Sequence, residues 1–265
     1  DVGFVPTMGN LHAGHMSLLE SSLKEHESSV LSIFVNPTQF GEQDDFARYP
    51  RTLEADAQLA QQLLNKYPQR QLVIFAPTTP EEIYPEGFST VVSVPKLDGF
   101  LEGKFRPGHF DGVATVVYLL FQLVKPRVAY FGRKDYQQYR VIKRMARDLE
   151  LPVRVKGMPI IRDEHGLALS SRNQFLNPEE RTAALHLIHT LEEAQRRIGG
   201  EARNIPAARQ WMEQQLSQDP RWQYLEIREA RTLSETIHAK NKVVFLGLLK
   251  LGTVRLLDNL EMTLQ

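Results

Sequence analysis

His12 and His15 stand three positions apart in the run Pro6-Thr7-Met8-Gly9-Asn10-Leu11-His12-Ala13-Gly14-His15, with Gly14 between them. Where such a run ends a strand and opens a helix, i and i+3 put both imidazoles on one face of the first turn. A helix N-terminus offers unpaired N–H groups and partial positive charge, which suit phosphate. Imidazole donors there can grip phosphate oxygens as negative charge shifts in phosphoryl or nucleotidyl transfer. Gly14 leaves room where a ligand must approach. The plainer alternative is a glycine turn carrying two histidines, and the strand-turn-helix context favours function.

Three further polar clusters follow apolar runs. Asn36-Pro37-Thr38-Gln39-Phe40 is one, Gly132-Arg133-Lys134-Asp135-Tyr136-Gln137-Gln138 another, and Leu169-Ser170-Ser171-Arg172-Asn173 the third, after a turn over residues 163–166. The ends of strands in one sheet converge on one crevice, so four such clusters are expected to share it. The amides of Asn36, Gln39 and Gln138 suit a hydroxylated organic acid, whereas Lys134 and Arg172 suit phosphates. A glycine-punctuated loop over residues 101–112 reads either as a lid placing Arg106 and His109 against phosphate or as a solvated turn. Residues 38–51 read as a mobile wall or as a plain loop. Asp56 could help hold Mg²⁺ or an amine, but a solvated helix carboxylate is the plainer expectation. His186 and His189 share an i,i+3 spacing without carboxylates around them, which points to packing or surface. No nucleophile elbow surrounds Ser170-Ser171, and no G-x-x-x-x-G-K-[ST] loop is present, so neither a serine hydrolase nor a P-loop is expected.

The elements that must carry these residues alternate. Short β-branched or aromatic runs at 2–5, 30–35, 72–76, 128–131 and 153–157 predict strands. Amphipathic stretches at 16–27, 52–66, 112–124 and 135–149 predict helices between several of them, hence βαβ units and a parallel sheet. Residues 89–94 read as a further short strand. After about Ile160 the texture changes. A helix over 179–198, opened by Asn177-Pro178 and closed by Gly199-Gly200, precedes one over 205–216. Strands are then expected at 224–230, 242–248 and 253–259, with Gly252 at the last turn. The fold class is therefore α/β, with a Rossmann-like parallel sheet over residues 1–160 and a smaller C-terminal α+β domain over residues 161–265. The opening residues already read as a buried strand without an initiator Met, and a preceding segment is expected.

The 265 residues carry 32 basic and 32 acidic side chains, so formal net charge is zero. A broad nucleic-acid or anionic-membrane surface needs a positive excess and is disfavoured. Cysteine is absent, which excludes disulfides, thiolate metal sites and a Cys nucleophile, and fits a reducing compartment. No apolar run reaches membrane-spanning length.

Six segments occur together in order: PTMGNLHAGH, FVNPTQFG, YPRTLEAD, RPGHFDGVATVV, FGRKDYQQ and GLALSSRN. In this the chain resembles the pantoate–β-alanine ligases, a family of the H-x-G-H nucleotidyltransferases, over essentially its whole length. One departure is Arg133, where the family often has Glu or Gln; altered local charge rather than lost activity is expected. The resemblance implies a smaller domain that closes over the crevice of the parallel sheet. It implies ATP across Met8, Gly9, Asn10, Leu11, His12, Ala13, Gly14 and His15, then Gly132, Arg133, Lys134, Asp135, Ile161, Leu169, Ser170, Ser171 and Arg172. Pantoate is expected on Gln39 and Gln138, lined by Pro6 and Met8, with Asn36, Arg106 and His109 in the substrate-binding set. His15 takes the general-acid role, and His12, His15, Lys134 and Arg172 form the catalytic set. Magnesium, a cytoplasmic homodimer and β-alanine as second substrate follow from the same resemblance. A nucleotidyltransferase that adenylates a small phosphorylated acceptor is the alternative; it needs cations where Gln39 and Gln138 stand. A tRNA-charging role lacks both the charge and a large anticodon-binding extension.

Overall fold

The first strand, β1 (Val2–Thr7), is apolar on both faces. Phe4 and Val5 are consecutive, so they point to opposite sides of a sheet, and both are fully buried. Such a strand belongs in the middle of a sheet covered by helices on both faces. The computed structural model, which describes residues 1–41, 46, 47 and 49–265, puts it there. The chain divides into two compact units, Asp1–Arg133 with Gln137–Ile160 and Lys134–Tyr136 with Ile161–Gln265.

In the first unit β1 leads through α1 (Ala13–Glu25) to β2 (Ser28–Ile33), then through α2 (Leu53–Leu64) to β3 (Gln71–Phe75). A short helix α3 (Glu102–Phe105) and the long α4 (His109–Val124) precede β4 (Val128–Gly132); α5 (Tyr136–Asp148) precedes β5 (Arg154–Met158). The strands are parallel in the order β3-β2-β1-β4-β5. Phe121 of α4 meets Phe4 and Phe131 edge-on, at 6.3 and 6.4 Å between ring centres. On the opposite face Leu18, Leu19 and Leu23 of α1 and Ala60 and Leu63 of α2 pack with Val5, Leu31 and Tyr130. The chain runs outward from β1 to β3 and then returns to the other side of β1. Strand order therefore reverses between β1 and β4, and in open α/β sheets ligands bind beyond the carboxyl ends at such a switch.

The expected strand at 89–94 does not form. Residues 89–91 and 93 are exposed, and Val92 N–H donates to Thr115 Oγ1 of α4 at 2.9 Å rather than into a ladder.

The second unit is an antiparallel sheet, β6 (Trp222–Glu229), β7 (Lys242–Leu251) and β8 (Val254–Thr263) in that order, with helices α6 (Pro178–Ile198) and α7 (Ile205–Gln218). Leu187, Leu191 and Ala194 of α6 and Ala208 and Met212 of α7 join Phe245 and Leu249 of β7 in one core. Asn177 and Glu180 cap α6 reciprocally, and Gly199 ends it in the left-handed region. Gly252, also left-handed at φ 55°, turns β7 into β8. Arg162 reaches β8 through two bonds to the Asp258 carboxylate, 2.5 and 2.9 Å.

Candidate active site

The turn after β1 bends through two left-handed residues, Gly9 (φ 82°) and Asn10 (φ 51°). Glycine takes that conformation freely, and asparagine is among the few L-residues that tolerate it. Thr7 Oγ1 donates to Ser32 O (2.7 Å) and accepts from Gly9 N–H (3.1 Å). The Asp56 carboxylate of α2 enters the same turn. Its Oδ2 accepts from Asn10 N–H (2.9 Å) and Thr52 Oγ1 (3.1 Å), and its Oδ1 from Leu11 N–H (2.7 Å). Asp56 is 2% exposed. The expectation of a solvated helix carboxylate is corrected: the loop backbone covers it. Nor is it placed to hold Mg²⁺ or an amine, because both oxygens are engaged. Leu11 turns inward with its side chain in the core.

His12 is the N-cap of α1, in extended backbone. Its Nδ1 accepts from Gly14 N–H (3.1 Å), and His15 Nδ1 in turn accepts from His12 N–H (3.4 Å), so two histidines form a capping box. Their ring centres lie 4.2 Å apart. A nitrogen that accepts an N–H carries no proton, so each neutral ring has its hydrogen on Nε2. The hydrogen-bond pattern thus makes both histidines Nε2–H donors. A Cβ on Gly14 would lie 2.8 Å from His12 Cε1 and 2.9 Å from Nδ1. The glycine makes room for the capping ring, where the sequence suggested room for a ligand.

Gln39 is fixed at both ends. Its Oε1 accepts from Asn36 Nδ2 (3.1 Å), which leaves Nε2 directed at Met8 Sδ, 3.3 Å away. Asn36 Nδ2 also donates to Gly112 O (3.2 Å). Asn36 Oδ1 accepts from Tyr84 Oη (2.7 Å), Thr38 Oγ1 (3.0 Å) and Thr38 N–H (3.3 Å). Asn36 is 1% exposed, and every polar group of its amide is engaged. Its amide orients Gln39. Burial pushes the Tyr84 phenol up, which keeps it a neutral donor.

Arg106 and His109 also reach Gln39. His109 Nδ1 donates to Gln39 O (2.8 Å), and its Nε2 accepts from Arg106 Nη1 (3.1 Å), so the ring is neutral. Both hold the Gln39 main chain. The loop around them is solvated only in part: Leu97 and Leu101 are buried and α3 occupies its middle, whereas Lys104, Pro107 and Gly108 are exposed. Gln137 binds it, donating to Leu97 O and Phe100 O (2.8 Å each) and accepting from Glu102 N–H (3.0 Å). The expectation for residues 38–51 lies partly outside the described residues, at 42–45 and 48.

The first unit thus brings Met8, Asn36, Gln39, Arg106 and His109 into one bonded cluster. Pro6 is half-buried on β1, and Ala13 exposed at the start of α1. Gly132 and Arg133 stand at the carboxyl end of β4, where Arg133 N–H donates to Met158 O (2.9 Å). Gln138 is half-buried on α5.

The remaining predicted residues belong to the second unit. Lys134 Nζ lies 3.6 Å from Asp135 Oδ1, and Lys134 O accepts from Asn259 Nδ2 (2.9 Å). Ile161 O accepts from Leu169 N–H (2.9 Å). Ser170 caps the short helix Ser171–Phe175, its Oγ accepting from Arg172 N–H (3.3 Å). Lys134 and Ser170 line one small hollow with Leu167, Ala168 and Asp258; the Arg172 side chain is exposed. His186 stacks beside Trp222, at 5.5 Å between ring centres. Among the described residues no group of three or more His, Asp or Glu could hold a metal ion.

Sequence reasoning singled out Asp56 without its supporting role, and missed Tyr84 and Gln137. Asp56 closes the segment YPRTLEAD, and Gln137 stands beside Gln138 in a polar motif after a strand; Tyr84 carried no signal.

A family model for pantoate–β-alanine ligase matches residues 1–261. The chain belongs to that family. The pantothenate synthetase of Sulfurihydrogenibium sp. (strain YO3AOP1) is 46% identical, across 98% of this chain and 91% of its own. Among solved pantoate–β-alanine ligases, the pantothenate synthetase of Thermus thermophilus superposes with a TM-score of 0.83 at 46% identity, covering 98% of this chain and 92% of that one. The ligase from Francisella tularensis, complexed with beta-gamma ATP and beta-alanine, gives 0.72 at 32% identity, over 98% and 88%. The pantoate–β-alanine ligase fold read from the sequence, a parallel sheet with a smaller α+β unit, holds.

Proposed function

We propose that this chain condenses pantoate with β-alanine at the expense of ATP, giving pantothenate, AMP and pyrophosphate through pantoyl adenylate. The observation that carries the reading is the pairing of donors in the first unit. His12 and His15 are fixed as Nε2–H donors at a helix N-terminus, and Gln39 is fixed with its Nε2 against Met8 Sδ. The first pair suits phosphate and the second suits an oxygen of a small hydroxy acid. Family membership supports the same chemistry.

In the first half, a pantoate carboxylate oxygen attacks the α-phosphorus of ATP. A P–O bond forms and the bond to pyrophosphate breaks. The carboxylate is already ionised at neutral pH, so no base is required. What the step needs is compensation for charge moving onto pyrophosphate, assigned here to His12, His15, Lys134 and Arg172. Neutral at Nε2–H, His15 can donate to the leaving oxygen. In the second half the free amine of β-alanine attacks the acyl carbon: a C–N bond forms, the acyl C–O bond breaks so that AMP leaves with its electron pair, and the nitrogen gives up one proton to solvent. Water must be kept away, because the mixed anhydride hydrolyses.

ATP is assigned to residues 8–15 and 132–135, Ile161 and residues 169–172; pantoate to Gln39, Gln138, Pro6 and Met8. Asn36, Arg106 and His109 support Gln39. Mg²⁺ is assigned to the incoming triphosphate, since the described carboxylates do not make a cradle for it, and no step is routed through it. A homodimer rests on the family resemblance. A cytoplasmic location rests on the same resemblance and fits the cysteine-free composition; no described helix is long and apolar enough to cross a membrane.

The test is ATP–pyrophosphate exchange with pantoate and without β-alanine. Pantoate-dependent exchange is expected. Exchange that requires β-alanine, or that follows a phosphorylated acceptor instead, overturns the reading.

A further inference from the structure

We infer that Asp56 is a positioning residue for adenylation: its carboxylate, accepting from the successive amides of Asn10 and Leu11, sets the turn that aims His12 and His15. The inference rests on the ligase reading above. The geometry is unusual in a specific way. One buried carboxylate takes two adjacent main-chain N–H groups on separate oxygens, at 2.9 and 2.7 Å, and a hydroxyl from Thr52 at 3.1 Å. A negative charge beside a site for polyphosphate repels the ligand, so ligand attraction does not explain it. Geometry does. The turn holds two consecutive left-handed residues, Gly9 and Asn10, a conformation that persists when surrounding bonds over-determine it.

The constraint passes along the chain without a gap. Leu11, held through its N–H, anchors its side chain in the core. His12 follows in extended backbone, folding its ring back to accept from Gly14 N–H, and its own N–H goes to His15 Nδ1. If the turn relaxes, both Nδ1 bonds are lost, and with them the fixed Nε2–H tautomer of each ring. Asp56 sits in the first turn of α2, where a carboxylate is favoured by the helix dipole. Charge-assisted bonds to three donors offset its burial. An amide cannot replace it, because an NH₂ would face a backbone N–H.

Asp56→Asn therefore tests the idea at constant shape, read by pyrophosphate release from ATP and pantoate without β-alanine. We expect kcat to fall about 10²-fold while KM for pantoate moves less than about threefold. Because Asp56 acts through both histidines, Asp56→Asn added to the His12→Ala/His15→Ala pair should be no worse than that pair alone. A single variant within about threefold of wild-type kcat, or losses that multiply in the triple variant, overturns the inference. Circular dichroism and melting check the fold. Should Asp56→Asn not fold, Thr52→Val decides, since it removes one donor of three. A kcat loss of several-fold at constant KM supports the role, and wild-type kcat overturns it. Wild-type enzyme that releases no pyrophosphate in response to pantoate sinks the ligase reading itself, which keeps the two failures distinct.

Discussion

At the scale of single residues, the amide of Gln39 makes the sharpest prediction, because Asn36 dictates which way it faces. Gln39→Ala should raise KM for pantoate, and Asn36→Ala should do so as well although it is sealed from ligand. Each loss of a buried hydrogen-bond partner is worth about 1–3 kcal/mol, or roughly 5- to 150-fold, and KM for ATP should stay within about threefold. Steady-state titration of each substrate separates the two; an ATP-specific loss means the pocket has been drawn backwards. Lys134→Ala is expected to cut adenylation about 10²-fold, on the order of 3 kcal/mol, with little change in melting temperature. Asn259 holds the Lys134 carbonyl, not its side chain, so the fold loses no anchor. Near-normal pyrophosphate release by the folded variant removes Lys134 from the mechanism. Residues of this sort were legible in the sequence because type and position after a strand announce them. The supporting role of Asp56 was not, nor was Tyr84. Their partners are a loop backbone and a buried amide far away in sequence, and periodicity says nothing about which main chain a helix side chain will meet.

Among the elements, α1 carries the most information. Its first turn is capped by a ring rather than a hydroxyl, and the ring needs the space above Gly14. Gly14→Ala should push that ring aside. The expected cost is about 1 kcal/mol of stability, as for other lost N-caps, accompanied by a fall in pyrophosphate release. Urea denaturation and the exchange assay measure the two; unchanged activity would separate the cap from the chemistry. The five parallel strands were readable as short β-branched runs between amphipathic helices. Residues 89–94 have the same local pattern, yet Val92 is bound by a threonine side chain of α4 and not by a neighbouring strand. Pairing is a tertiary event, and a six-residue window does not contain its partner. The segment before α4 misled for a related reason: its glycines and charges read as solvated, but Gln137, from a distant helix, ties its carbonyls down.

For the molecule as a whole, pH enters through His26. Its ring is buried at the end of α1, with Nε2 2.8 Å from Tyr130 Oη, and Tyr130 Oη donates to Glu25. Burial pulls the His26 imidazole below its ordinary value; the Glu25 carboxylate works against this, and Arg127 and Lys156 add to it. Asp1 lies 3.6 Å from Nδ1. The unfolded chain therefore takes up the proton first. Stability is full above about pH 6.5 and declines below it, by at most about 1.4 kcal/mol per pH unit until the folded ring protonates. Urea midpoints between pH 7.5 and 5 should fall for the wild type and fall less for His26→Asn. Equal slopes would acquit this residue. The strand order has a further consequence, for how the polypeptide is made. β1 leaves the ribosome before the other described strands, yet one of its two neighbours, β4, begins only at Val128. Synthesis therefore lays down the histidine turn against β2 and β3 and leaves an apolar flank of β1 waiting through the long interval before its last partner. Closing so distant a contact is slow, and an unpaired hydrophobic edge invites association with other chains. A nascent fragment ending short of β4 should stick to its own kind, whereas one reaching past β5 should not.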